Sequence, residues 1–354
     1  MRGNDIRSAE RVLVIKRDGL RQFVEAEPAF SAIRQAHPGA TIDLLTNPLL
    51  QRLAKSAPCF DRVVATRALV QKGDRRELVS QLKRVGYGVV YDLDGTKESM
   101  ELRSSMRGFR GPQWIGPRSP LSEGKRALAP TPLAGPGMRK LLRSAGVQPD
   151  ERLPDLSWSA QAEESSAAME TSWFGLPDRF GVLVPAAVPG HRWPAQRYGE
   201  LAVALAAQGI TSVIVGDGLV SDFAGDIIQA AAHAGELQGR NIVDLCGKAD
   251  AAQIAVIGQK AKFFVAGPAE ELHLLTSVGL SGVVVIPPSE DISGDALYGR
   301  NLVKLTASRL ARVEADLALQ TLSNMGVLKA PEPEPRPQPQ SSFAPLQRSR
   351  RVLR

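Results

Sequence analysis

The residues best placed for chemistry follow short β-branched runs. Arg11 to Lys16 (RVLVIK) leads to Asp18, with Glu25 a few positions on, and Gly88 to Asp92 (GVVYD) leads to Asp94. A carboxylate held at such a strand end is able to take a proton from a hydroxyl, although an acid directly after a strand also serves as a turn or cap residue. The stretch from Pro185 to Trp193 separates an apolar run from a helical pattern, so its backbone amides, with His191 and Arg192, are suited to cradling a diphosphate. Arginine binds phosphate through two parallel bonds, whereas histidine is only partly charged at neutral pH. The competing reading of the same stretch is a loop whose Trp193 simply packs under the helix. Glu270 and Glu271 open another helical pattern, where acids favour the helix dipole and repel a phosphate unless they point away. His37, His191, His233 and His273 show no paired zinc spacing, and Cys59 and Cys246 lie far apart in sequence, so no metal site is predicted. Gly216-Asp217-Gly218 lacks the third glycine and the later ribose-binding acid of a dinucleotide fingerprint and is a weak match to it.

These positions need a scaffold that brings loops together, and the patterning supplies one. In the first half, Arg11 to Lys16, Thr41 to Leu45, Arg62 to Ala65 and Gly88 to Asp92 read as buried strands, and Pro28 to His37, Pro48 to Ser56 and Arg75 to Val85 have helical spacing. The second half repeats the rhythm, with strands at Gly181 to Val184, Ile210 to Val215, Ile242 to Asp244, Phe263 to Val265 and Gly282 to Ile286 alternating with helical stretches. Alternation of this kind predicts an α/β chain of two Rossmann-like domains, 11–155 and 156–328, each a parallel sheet covered on both faces. Ligands in such sheets bind beyond the carboxyl ends of the strands, so the loops above converge on one cleft between the domains. The segment 330–354 is proline-rich and basic and is expected to be disordered.

At 354 residues the chain is long enough for two cores, and 43% hydrophobic with 23% charged residues excludes a wholly disordered or collagen-like chain. The formal charge of +7 is unevenly spread: between Lys97 and Arg143 ten basic residues face three glutamates, which predicts a basic insert at 97–143 in the first domain. Such a run is either a solvated face or a seat for an anionic partner, with Arg103, Arg107 and Arg110 at its centre. Aromatic residues are 5% of the chain, too few for stacking platforms, so nucleic acid is not an expected partner. Two cysteines call for no oxidising compartment, and neither a signal peptide nor a membrane-long apolar run is present in the sequence; a cytoplasmic location is expected.

Taken in order, RVLVIKRDGLRQFVEAEPAFSAIRQAHPGATIDLL, YGVVYDLDG, HRWPAQRYGELAVALAAQG, AGPAEELHLLTSVGL and ALYGRN resemble glycosyltransferase family 9, bacterial enzymes that move heptose from ADP-heptose onto the lipopolysaccharide inner core. The resemblance spans roughly 11–325 and is strongest at His191, Arg192, Trp193 and Pro194. It implies a GT-B fold with the acceptor on the N-terminal domain and the nucleotide sugar on the C-terminal one, and inverting transfer with a carboxylate as base. The family's usual base is the Asp of a Leu-Gly-Asp turn; this chain has Gln22 there, and an amide cannot do that work, which leaves Asp18, Glu25 and Asp94 as substitutes. His191, Arg192, Trp193, Gly267 and His273 are the positions carried over for the nucleotide, although His191 stands where lysine is common and Ala266 to Glu271 replaces an Asp-Thr-Gly stretch. Asp92-Leu93-Asp94 resembles the metal motif of another glycosyltransferase fold, but it stands where family 9 carries Asp-x-Gln-Gly, and no metal or cofactor beyond the donor sugar nucleotide is expected. The expected acceptor is an anionic envelope glycolipid, reached by peripheral binding at the cytoplasmic face of the inner membrane through Arg103, Arg107 and Arg110. The alternative is a non-catalytic family 9 homologue that serves as a binding or scaffold protein in envelope assembly.

Overall fold

The computed structural model describes residues 9–67, 72–108, 111–117, 136–160, 170–235, 241–289 and 302–328. Two wholly parallel sheets form, as the alternation of strand and helix requires. The first holds β1 (Arg11–Ile15), β2 (Thr41–Thr46), β3 (Arg62–Ala65), β4 (Val89–Asp92) and β5 (Gln113–Ile115) in the order β3-β2-β1-β4-β5. The second holds β6 (Phe180–Val184), β7 (Thr211–Ile214), β8 (Ile242–Asp244), β9 (Phe264–Ala266), β10 (Gly282–Ile286) and β11 (Leu302–Thr306) in the order β11-β10-β9-β6-β7-β8. In each, the first strand of the half lies inside the sheet and the order reverses beside it, at β1/β4 and at β6/β9, so both carry a switch point where adjacent loops part.

In the first half the helices are α1 (Leu20–Glu25), α2 (Glu27–Ala36), α3 (Gln51–Lys55), α4 (Lys72–Val85), α5 (Lys97–Met106) and α6 (Pro136–Ser144). Alternate residues of β1 serve different cores. Val12 and Val14 face α2 and α3, in a cluster that runs on into the second half, whereas Leu13 and Ile15 meet Leu78 and Leu82 of α4 and Leu102 and Met106 of α5. The stretch expected as a basic insert, 97–143, is described only in part. Its described part is not an appendage, because α5 covers the first sheet and β5 extends it; Leu102 and Met106 are apolar at helical spacing and supply the packing. Arg103 and Arg107 lie on and just after α5, whereas Arg110 and the tail 330–354 fall outside the described residues.

The second half has α7 (Ala195–Ala206), α8 (Ser221–Ala234), α9 (Ala251–Lys260), α10 (Glu270–Ser277) and α11 (Ala315–Asn324). The start of α9 is fixed by a capping box between Asp250 and Gln253. Between the sheets the chain is held on both sides. Buried Glu27 of α2 accepts from Arg152 Nη2 at 2.5 Å and from the Asp155 N–H at 3.2 Å, while the Leu156 N–H donates to Ser277 O of α10 at 3.0 Å. Among the described residues no helix is long and apolar enough to cross a membrane.

Candidate active site

The loops at the carboxyl ends of both sheets meet around a cleft of about 850 Å³. Gly19, Leu20, Asn47 and Arg52 line it from the first half, and Asp217, Lys248, Asp250, Glu270 and Glu271 from the second. Among the described residues an ion pair and a hydrogen bond join the halves across it. Arg52 Nη1 pairs with Asp250 at 3.0 Å, and the Leu20 N–H donates to Glu270 Oε2 at 2.9 Å. The second contact depends on a glycine: a Cβ on Gly19 would stand 2.7 and 2.9 Å from the two Glu270 oxygens and 2.8 Å from Gln22 Oε1.

On the N-terminal side the loop after β1 is built from charges packed under the cleft. Lys16 is buried and donates from Nζ to Leu93 O at 3.0 Å and to Asp18 at 3.2 Å. The Arg17 N–H donates to Asp94 Oδ1 at 2.7 Å, and Asn47 Nδ2 holds the Arg17 and Asp18 carbonyls. Burial, reinforced by the charge of Asp18, pushes Asp94 up to about 6, with Lys16 opposing. Asp92 ties the next turn instead: it accepts from the Gly95 N–H at 2.9 Å and from Ser99 Oγ at 2.8 Å. Glu25 is held by Arg21 Nε at 2.8 Å, one turn further along α1. The structure therefore gathers Asp18 and Asp94 around Lys16 beneath the cleft, and neither they nor Glu25 line it. Gln22 Oε1 is buried without a hydrogen-bond partner beside Gly19.

On the C-terminal side several of the residues expected at the nucleotide also make contacts within the fold. The Arg192 guanidinium donates to Ala186 O at 2.8 Å and Ala187 O at 3.0 Å and lies 4.8 Å from the Phe223 ring centroid, so it folds its own loop back. Trp193 is fully buried, donates to Val313 O at 2.8 Å and meets Tyr198 edge to face, as the packing alternative required. His191 sits half-buried in a short turn of 3-10 helix, Pro189–His191. Gly267 permits close strand crossing, since a Cβ there would stand 2.9 Å from Ala186 N. His273 is buried in α10, and burial, aided by the Arg21 charge, drives it down to about 3, so it is neutral at cellular pH. Lys248 Nζ lies 2.5 Å from Asp244 Oδ2 with a largely exposed side chain.

Among the cleft-lining residues four carboxylates, Asp217, Asp250, Glu270 and Glu271, thus stand against two cations, both already paired. Burial pushes Glu271 up to about 7, and the charges of Glu270 and Asp217 add to the rise. Among the described residues no group of three or more His, Cys, Asp or Glu side chains is arranged to hold a metal. Sequence reasoning passed over Arg52, Lys248 and Asp250 in the cleft and read Glu270 only as a first-turn acid. Its position in a helix's first turn explained it locally, and nothing in the chain order places it 250 residues away against Leu20.

No protein-family model matches the chain. A Haemophilus influenzae protein named "Putative glycosyltransferase" is 31% identical over 74 residues, which is 21% of each chain. Solved structures match far more of it. Escherichia coli ADP-heptose lipopolysaccharide heptosyltransferase II aligns with a TM-score of 0.68 at 17% identity over 90% of this chain and 98% of its own. The family 9 glycosyltransferase of Veillonella parvula gives 0.71 at 15% identity over 90% and 97%. Escherichia coli heptosyltransferase WaaC, solved with ADP, gives 0.65 at 18% over 89% and 99%. The resemblance carried by the motifs is thus matched in three dimensions, and the chain has the two-domain GT-B fold of the family 9 heptosyltransferases.

Proposed function

We propose that this protein is an inverting glycosyltransferase of the heptosyltransferase type, which takes a nucleotide sugar into the cleft between its sheets and transfers the sugar to a hydroxyl of an anionic envelope glycolipid. The observation that carries the reading is the cleft itself: it lies at the carboxyl ends of both parallel sheets and brings a carboxylate of one half onto the first helix of the other. The likeness over about nine-tenths of the chain to heptosyltransferases, one of them solved with ADP, points to ADP-heptose as the first donor to try. With Arg192 engaged by carbonyls, the diphosphate is held by loop amides and by Lys248, which exchanges its ion pair with Asp244 for the phosphate and stands with Arg52 as an exposed cation of the cleft wall. The basic residues of α4 and α5 lead the protein to the acceptor at an anionic membrane surface.

Calorimetry with ADP, ADP-heptose and UDP-sugars tests the reading. The expected result is saturable binding of ADP and ADP-heptose, weakened when Lys248 is changed to alanine. Failure of every nucleotide to bind would replace the transferase with the scaffold reading.

A further inference from the structure

We propose that Glu270, supplied by the C-terminal half, is the general base of the transfer, standing in space where Gln22 has lost that capacity in sequence. The inference rests on the transferase reading above. A base must be reachable by the acceptor hydroxyl, and the substitutes chosen from sequence are not. The Asp94 residue is 2% exposed and accepts the Arg17 N–H, while the Asp18 side chain is 10% exposed against Lys16 and that of Glu25 is 7% exposed against Arg21. Glu270 is exposed and lines the cleft.

Its geometry places it at the reacting face of α1. Both Glu270 oxygens and Gln22 Oε1 lie within 2.9 Å of one point, the place a Gly19 side chain would occupy, so the carboxylate stands beside the amide at the family's base position. Oε2 is fixed by the Leu20 N–H, and Oε1 has no hydrogen bond among the described residues. In the reaction Oε1 takes the hydroxyl proton as the acceptor oxygen forms its bond to the anomeric carbon. The bond from that carbon to the diphosphate oxygen breaks, and the nucleoside diphosphate leaves with the electron pair. Because the base comes from the opposite half, it is in place only when the two halves meet.

Glu270→Gln keeps an oxygen for the Leu20 N–H and removes the ability to take a proton. With ADP-heptose and a lipopolysaccharide inner-core acceptor, the variant is expected to lose about 10²–10⁴-fold in kcat while still binding ADP. Adding Gln22→Asp to Glu270→Gln returns a carboxylate to the same spot and is expected to recover at least about tenfold, a rescue that a merely structural role for Glu270 would not give. Wild-type turnover that Glu270→Gln retains, or a double variant without recovery, overturns the base assignment alone. A wild type that releases no ADP from ADP-heptose with that acceptor overturns the transferase reading for this donor and the base with it.

Discussion

At Arg192 the residue type and the surroundings point to different tasks. Next to Trp193 at the start of a helix, a fixed positive charge suggests a phosphate partner, but its guanidinium is spent on the Ala186 and Ala187 carbonyls and on the face of Phe223. Hydrogen bonds to charged groups contribute about 1.5–3 kcal/mol each when well made, and less where solvent competes. The expectation for Arg192→Ala is therefore a stability effect, on the order of 1–3 kcal/mol, corresponding to several degrees in melting temperature for a domain of this size. ADP affinity should change little. A thermal melt beside a calorimetric titration decides it: an unchanged melt with lost ADP binding would return Arg192 to the phosphate.

Among the elements, α10 carries both acids that the cleft shows and the sequence explained away. The strands were legible because parallel strands are near-continuous apolar runs: β10, buried throughout, and the less buried edge strands β3 and β8 match their sequence-predicted limits residue for residue. What escaped was short or mixed. β5 has three residues, α1 has six, fewer than two helical turns, and β11 mixes partly buried residues with exposed Lys304 and Thr306. The site was legible only to the resolution of loops, since the pairing of Leu20 with Glu270 is a property of how two domains meet. Glu271, one position along α10, gives the pH test. Its carboxyl is raised to about 7 in the folded protein, so between its ordinary value and about 7 the native state binds a proton that the unfolded chain does not. Stability from this group accordingly falls as pH rises through that window. Glu271→Gln should be more stable than wild type at pH 8 by roughly 1–3 kcal/mol and should lose that advantage near pH 5. His273 opposes the trend on the acid side, but it does so in both proteins. Denaturant titrations of the pair at the two pH values check the sign, and an equal difference at both would remove Glu271 from the pH dependence.

At the scale of the whole molecule the question is where the net charge of +7 is used. The cleft is acid-rich, so the positive charge is not concentrated at the site of chemistry. The described basic residues on α4 and α5 include exposed Arg76, Lys83, Arg84 and Lys97, and Arg107 follows just after α5; these helices cover the face of the first sheet opposite to the cluster that continues into the C-terminal half. A basic surface on that side is free to approach a membrane while the cleft remains open to a nucleotide. Each basic side chain near an anionic bilayer contributes about 1 kcal/mol, and that attraction is screened over about 10 Å at 0.1 M salt. Co-sedimentation with vesicles is therefore expected to require anionic lipid and to fall steeply as salt is raised. Neutralising Arg103, Arg107 and Arg110 together should weaken it markedly, with Arg110 itself outside the described residues. If the triple variant sediments with anionic vesicles as well as wild type does, these three arginines do not carry the attraction, which then belongs to Arg76, Lys83, Arg84 and Lys97 or to the arginines between 348 and 354. Binding to neutral vesicles at high salt would reject electrostatic docking altogether.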